Sequence, residues 1–213
     1  MKTDELISLL AADTAPVPRS TALKQIAIAM AVGIPLAILT MLLTMGARPD
    51  LAQATGLPMF WMKVLGPATV ACAGFATLAR LARPGVGARV GEIAIALPVL
   101  LVWLLAIAAY AGAPPSERAA MVWGQTWRIC TLSIVMISLP IFGATFLALR
   151  RLAPTQLARA GACAGVLSGA AGAAIYAFRC PETALPFMAV WYVAGIAVTA
   201  AIGASFGPRL LRW

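Results

Sequence analysis

The sequence predicts an all-α membrane protein: a six-transmembrane-helix bundle with a short cytoplasmic N-terminal helix and both termini cytoplasmic. Three observations carry this. Of 213 residues, 62% belong to the AVILMFWYC set and 11% are charged, against about 45–50% apolar and about 25% charged in a soluble domain. The apolar residues fall in long runs and not in alternating or amphipathic patterns. Short polar joints rich in proline and glycine separate those runs. Together these set aside a soluble globular enzyme, a disordered chain and a coiled coil.

A spanning helix needs about 20 mostly apolar residues. Six segments qualify, at 26–46, 59–79, 92–111, 129–149, 157–178 and 187–206. The joints hold Arg48-Pro49-Asp50, Arg83-Pro84-Gly85, Pro114-Pro115-Ser116, Ala153-Pro154-Thr155 and Cys180-Pro181-Glu182. None is long enough for a folded extramembrane domain. The chain therefore divides into a soluble segment and linker, 1–25, and a transmembrane domain, 26–213. The first run is expected to be a retained helix and not a cleaved signal, because the residues before it include Asp4 and Glu5 where a signal would be basic.

Orientation follows from the basic residues. A cytoplasmic N-terminus places Lys2, Arg19, Lys24, Arg80, Arg83, Arg89, Arg150, Arg151, Arg159, Arg209 and Arg212 inside. It leaves Arg48, Lys63, Arg118, Arg128 and Arg179 outside. Eleven against five of the sixteen Lys and Arg residues favours both termini in the cytoplasm. Phe60, Trp61, Trp123, Trp127, Tyr176, Phe178 and Trp191 fall near the outer boundary, where aromatic side chains anchor helices. The net charge of +9 then reflects basic loops against an anionic leaflet, with no direct nucleic-acid contact.

Gly161, Gly165 and Gly169 in the fifth run, with Gly203 and Gly207 in the sixth, form small-xxx-small ridges and predict close packing of those two helices. Pro35, Pro67, Pro98 and Pro140 lie inside runs one to four and shape the bundle. No Asp, Glu, Lys or Arg stands in the middle of a run, and the chain has no histidine. That argues against an ion-coupled carrier and removes paired carboxylates, catalytic triads and His-ligated metals. Lys63 and Glu92 sit at run ends, where snorkelling explains them as well as a function would. Ser133, Ser138 and Ser168 have no base nearby in sequence and read as interhelical hydrogen-bonding groups. An enzyme is not expected. A small transporter or channel is the alternative, and few polar residues are present to line its path.

The four cysteines divide into two kinds. Cys130 and Cys180 fall at the outer ends of the fourth and fifth runs, on the side where disulfides persist. Three readings stay open for them: a static disulfide, a reversible thiol switch or two-thiolate soft-metal site, or unrelated free thiols. Arg128 and Arg179 are near them in sequence, and a nearby cation favours thiolate; Glu182 opposes this at Cys180. Met45, Met59, Met62, Met121 and Met188 add soft ligands near the same side. No cofactor is expected beyond transient soft-metal binding at Cys130 and Cys180. Cys72 and Cys163, deeper in the apolar runs, read as small buried residues.

The N-terminal segment opens with Thr3 as a cap and Asp4 and Glu5 in the first turn of a short helix. Leu6, Ile7, Leu9 and Leu10 then form an apolar stripe, and Pro16-Val17-Pro18-Arg19 stops it. A helix so short needs a surface to dock on: the membrane, the underside of the bundle, or a groove in a cytoplasmic partner.

The start Thr3-Asp4-Glu5-Leu6-Ile7-Ser8-Leu9-Leu10, the Pro16-Val17-Pro18-Arg19 stop, six runs and two outer cysteines resemble the NrsF-like proteins, the negative regulators of sigma F. The resemblance implies an inner-membrane anti-sigma factor. Such a protein sequesters an extracytoplasmic-function sigma factor at the membrane and releases it under oxidative or heavy-metal stress. It also implies that Cys130 and Cys180 sense the stress. The sigma contacts are then expected in the N-terminal segment, at Leu6, Ile7, Leu9 and Leu10 with Asp4 and Glu5.

Overall fold

The computed structural model describes residues 3–5, 20–83 and 86–212. Among them there is no strand, and six helices are long and apolar enough to cross a membrane. Residues 3–5 are helical and exposed. The helices that follow are α1, Thr21–Thr44; α2, Pro58–Leu81; α3, Arg89–Gly112; the short α4, Pro115–Trp123; α5, Trp127–Leu152; α6, Leu157–Tyr176; and α7, Leu185–Leu210. The apolar runs thus locate every long helix. Most of the helices outrun those bounds, because polar joint residues continue the backbone ladder for up to five residues. Two stop short at their C-terminal ends, α1 at Thr44 where residue 46 was expected and α6 at Tyr176 where residue 178 was expected. Pro58, Pro115 and Pro186 sit in first turns, where the missing N–H costs nothing. Pro35, Pro67, Pro98 and Pro140 are all accommodated inside helices.

α6 is the axis of the bundle. Fourteen of its 20 residues are buried, whereas α3 buries only Gly91 and Ala106 of its 24. The cause is composition: an Ala- and Gly-rich helix lets neighbours approach on every side. α7 packs most extensively on α6, with α2 and α5 on its other faces, α1 against α5, and α3 against α2. A Cβ added to Gly161 would stand 2.1 Å from the Gly203 carbonyl oxygen, and one on Gly165 2.2 Å from that of Thr199. The predicted α6–α7 seam is therefore backbone against backbone.

Two expectations about polar groups are corrected. Ser133, Ser138 and Ser168 donate to the carbonyls of Ile129, Ile134 and Ala164, four residues back in their own helices, although Ser133 also meets the Tyr176 hydroxyl on α6, as expected of an interhelical group. In apolar surroundings that carbonyl is the nearest acceptor. Cys72 is exposed, whereas Cys163 is buried with its sulfur 3.4 Å from the Gly74 carbonyl oxygen. The two ends of the bundle differ as well. One, the arginine end, carries the ion pair of Arg159 with Glu92. The other, the cysteine end, carries the joints at 45–57, 113–126 and 177–184.

Candidate functional site: a thiol pair at the cysteine end

Cys130 lies one turn into α5, and Cys180 lies in the joint between α6 and α7. The fold brings their side chains into hydrogen-bonding reach, both fully buried and both free thiols. α5 delivers Cys130 because its Ser133, Ile134 and Ile137 face inward on the same stripe. α6 delivers Cys180 by ending at Tyr176, after which the chain turns back toward the start of α5.

The joint is held at several points. The Glu182 carboxylate accepts from the backbone N–H groups of Gln125 and Thr126 at 2.7 and 3.1 Å, and from the Thr126 hydroxyl at 3.3 Å. A carboxylate at a helix N-terminus also complements the helix dipole. Gly124, with φ +52°, makes room, since a Cβ there would meet the Glu182 Cδ at 2.7 Å. Lys63 reaches the joint from α2. Its Nζ donates to the carbonyl oxygens of Cys180 and Glu182, each at 2.6 Å, and lies 5.7 Å from the centre of the Tyr192 ring. Lys63 is 2% exposed, so it is a buried structural cation and not the snorkelling side chain expected at a helix end. The reason is that α7 and the joint close over the start of α2.

Two tyrosines complete the cluster. Tyr176 faces Ser133 and both sulfurs, and Tyr192 faces Cys180, with the two rings 6.0 Å apart. Tyr192 ends a π-helical turn, Met188–Tyr192, a local widening found often at functional sites. A thiol hydrogen bond from Cys130, helped by the Lys63 ammonium, the Glu182 N–H and Tyr192, holds the Cys180 thiol below the ordinary range although burial opposes it. This arrangement can present one nucleophilic sulfur to a second, protonated one. Thr126, Ser133 and Tyr176 also line a cleft of about 490 Å³ beside the pair, which neither sulfur lines.

The cations expected beside the thiols do not serve there. Arg128 lies over the Trp127 ring at 5.1 Å and Arg179 lines the open cleft. Sequence neighbours on a helix or turn point in different directions, so adjacency did not translate into contact. Glu182 does not oppose the thiolate through its carboxylate, which is spent on α5; its backbone N–H instead favours it. Phe60 and Tyr176 are buried and not interfacial, whereas Trp61 and Trp123 are exposed as anchors would be. Among the described residues no group of three or more His, Cys, Asp or Glu residues could hold a metal ion. Leu6, Ile7, Leu9 and Leu10 lie outside the described residues; Asp4 and Glu5 are helical and exposed. Lys63, Thr126, Tyr176 and Tyr192 were not foreseen as site residues. The available signal was thin: Lys63 is a lone cation inside an apolar run, and two of the chain's three tyrosines flank the second cysteine joint.

Six helices long and apolar enough to cross a membrane, with a pair of facing thiols buried at one end, define an all-helical bundle built around a thiol site. The chain belongs to the NrsF family, the negative regulators of sigma F: the family model matches residues 10–213. It is 42% identical to the probable anti-sigma-F factor NrsF of Azospira oryzae over 215 residues, covering 100% of each chain. It is 36% identical over 215 residues to the anti-sigma-F factor NrsF of Caulobacter vibrioides, again covering 100% of each. No solved structure matches. The family is one of regulators, in keeping with a non-catalytic role.

Proposed function

We propose that this chain is an integral inner-membrane anti-sigma factor with both termini cytoplasmic. It sequesters an extracytoplasmic-function sigma factor and releases it when Cys130 and Cys180 meet an oxidant or a thiophilic metal ion. The observation that carries the sensing half is the meeting of these two cysteines. They come from different helix ends, yet they are buried in mutual reach, with the Lys63 ammonium bonded to the joint and Arg48 further off within electrostatic reach of Cys180. The membrane half is supported by the apolar girdle: Leu97, Leu100 and Leu104 on α3 are all more than 60% exposed, a surface that water does not tolerate on a monomer.

Oxidation joins the two sulfurs and passes two electrons to the oxidant; a soft metal ion would instead take both as ligands. Either event repacks the joint against the starts of α5 and α7. A signal shifts an equilibrium only by its differential affinity for two states, and the repacked joint supplies that difference. The sigma factor is held by the N-terminal segment, with Leu6, Ile7, Leu9 and Leu10 as apolar contacts and Asp4 and Glu5 at their edge. Capture of the detergent-solubilised protein, beside a variant lacking residues 2–18, tests this. Co-purification of a sigma factor with the full-length chain only is expected, and equal capture by both would move the contact to the inner loops. Replacement of both cysteines by serine is expected to abolish the stress response; an unchanged response sinks the sensing role.

A further inference from the structure

Lys63 is the one Lys, Arg, Asp or Glu side chain among the described residues that is buried. A buried ammonium persists only where partners replace its lost hydration. Of its three N–H donors, two are spent on the carbonyls of Cys180 and Glu182. Beside the cation stand the Tyr192 ring and the two sulfurs, which it faces electrostatically, with Arg48, ion-paired to Asp50, as a more distant like charge. The two carbonyls belong to the joint that carries Cys180, so the same ammonium both holds that joint in place and balances the charge of the pair.

We infer that Lys63 is the counter-charge and positioning residue of the cysteine pair, and that joining the two sulfurs strands its cation and loosens its hold on residues 180–182. This rests on the reading of the pair as a redox switch. With a hydroperoxide as oxidant, the Cys180 thiolate takes the terminal oxygen: an S–O bond forms, the O–O bond breaks, and the departing alkoxide or hydroxide takes a proton from water. The Cys130 sulfur then attacks the sulfenic acid, forming the S–S bond as the S–O bond breaks, and its proton leaves with that oxygen as water. Negative charge is present before the reaction and absent after it, while the Lys63 cation stays. The reduced pair is stabilised by Lys63 and the disulfide is not, so the pair is a more oxidising couple than it would be without the lysine.

The test uses the full-length protein in detergent micelles, hydrogen peroxide as probe, and the variants Lys63→Met, Lys63→Gln and Lys63→Arg. Disulfide formation is followed by mass shift, and the equilibrium is read in dithiothreitol redox buffers. Removing the charge in Lys63→Met is expected to slow disulfide formation roughly tenfold and yet shift the equilibrium roughly tenfold toward the disulfide, about 30 mV for a two-electron couple. Lys63→Gln, which keeps a donor without the charge and serves if the methionine variant does not fold, is expected to behave the same way. Lys63→Arg is expected to stay close to wild type. The opposite sign, with the disulfide disfavoured in the uncharged variants, would show that Lys63 merely holds the joint, and unchanged rate and equilibrium would remove it from the site; either overturns the inference. A Cys130→Ser/Cys180→Ser strain that still responds to peroxide defeats the sensor reading alone, since the purified pair's rate and potential are measured without the sigma factor.

Discussion

The α6–α7 seam and the cysteine end solve the same packing problem by opposite means. At the seam, Gly161 and Gly165 bring two backbones together, and a single methyl group would overlap carbonyl oxygens 2.1 and 2.2 Å away. At the cysteine end, the elements are separated by side chains: Lys63, Glu182, Thr126 and the two tyrosines fill the space and satisfy the turning backbone. Backbone contact between helices leaves no rotamers to change, so the seam behaves as one rigid rod. Long polar side chains on a joint can exchange partners. The contrast teaches where the proposed switch would act: at the joint, whose side chains can rearrange, and not along the close-packed seam.

Substitutions can break or sharpen that contrast. Gly161→Val carries the largest expected effect, a loss of about 3 kcal/mol or more, because neither backbone can yield without parting the helices. Thermal unfolding in detergent would show it, and a near-wild-type Tm would mean that the seam is adjustable after all. Glu182→Ala comes next, at about 2 kcal/mol, since three donors at the start of α5 lose a charged acceptor. The same measurement should also find Cys180 more readily alkylated as the joint loosens. Gly124→Ala is expected to cost about 1–2 kcal/mol, combining a left-handed φ with a clash against the Glu182 carboxylate. In the double variant with Glu182→Ala the clash part should vanish, so the two losses should not add.

The pH dependence of Cys180 sharpens the comparison without a large stability effect. Its thiol is held low chiefly by the hydrogen bond from Cys130. The thiolate should therefore persist as pH falls below the ordinary thiol value of about 8.5, and be lost only on further acidification. In a background lacking Cys72 and Cys163, ultraviolet thiolate absorbance against pH would follow this. Cys130→Ala is expected to move the midpoint upward; an unmoved midpoint would assign the effect to Lys63, the Glu182 N–H and Tyr192 instead. The smallest effect is expected on α3, where Leu104 is 65% exposed. Leu104→Ala should change stability by less than about 0.5 kcal/mol, marking a face that only meets apolar surroundings.

How much was legible beforehand differs along the chain. The six runs and their breakers located the long helices, and the spacing of Gly161, Gly165, Gly203 and Gly207 foretold the seam. Both readings depend on residues close in sequence, which a helix of fixed pitch places predictably. Cys130 and Cys180 were singled out for standing at the same end of neighbouring runs, though adjacency pointed to Arg128 and Arg179 as their cations and to Glu182 as an opposing charge. The structure put Lys63 there instead, and gave the Glu182 carboxylate to the start of α5. Ser138 and Ser168 illustrate the reverse error. A hydroxyl was expected to reach across helices, yet the carbonyl four residues back lies closer than any neighbouring helix.

Composition and period thus settled from the sequence alone that this chain makes six long apolar helices and which pair packs closest; the family rests instead on the resemblance of its N-terminal pattern and on the matching relatives. These are local or additive properties, the sum of apolar runs, breakers and small residues. What the tertiary structure decided is which side chains meet at the cysteine end. Lys63 reaches a joint more than a hundred positions away, because α2 packs on α6 and the chain folds back over its start. No periodicity encodes such a meeting, since it depends on how several helices pack at once.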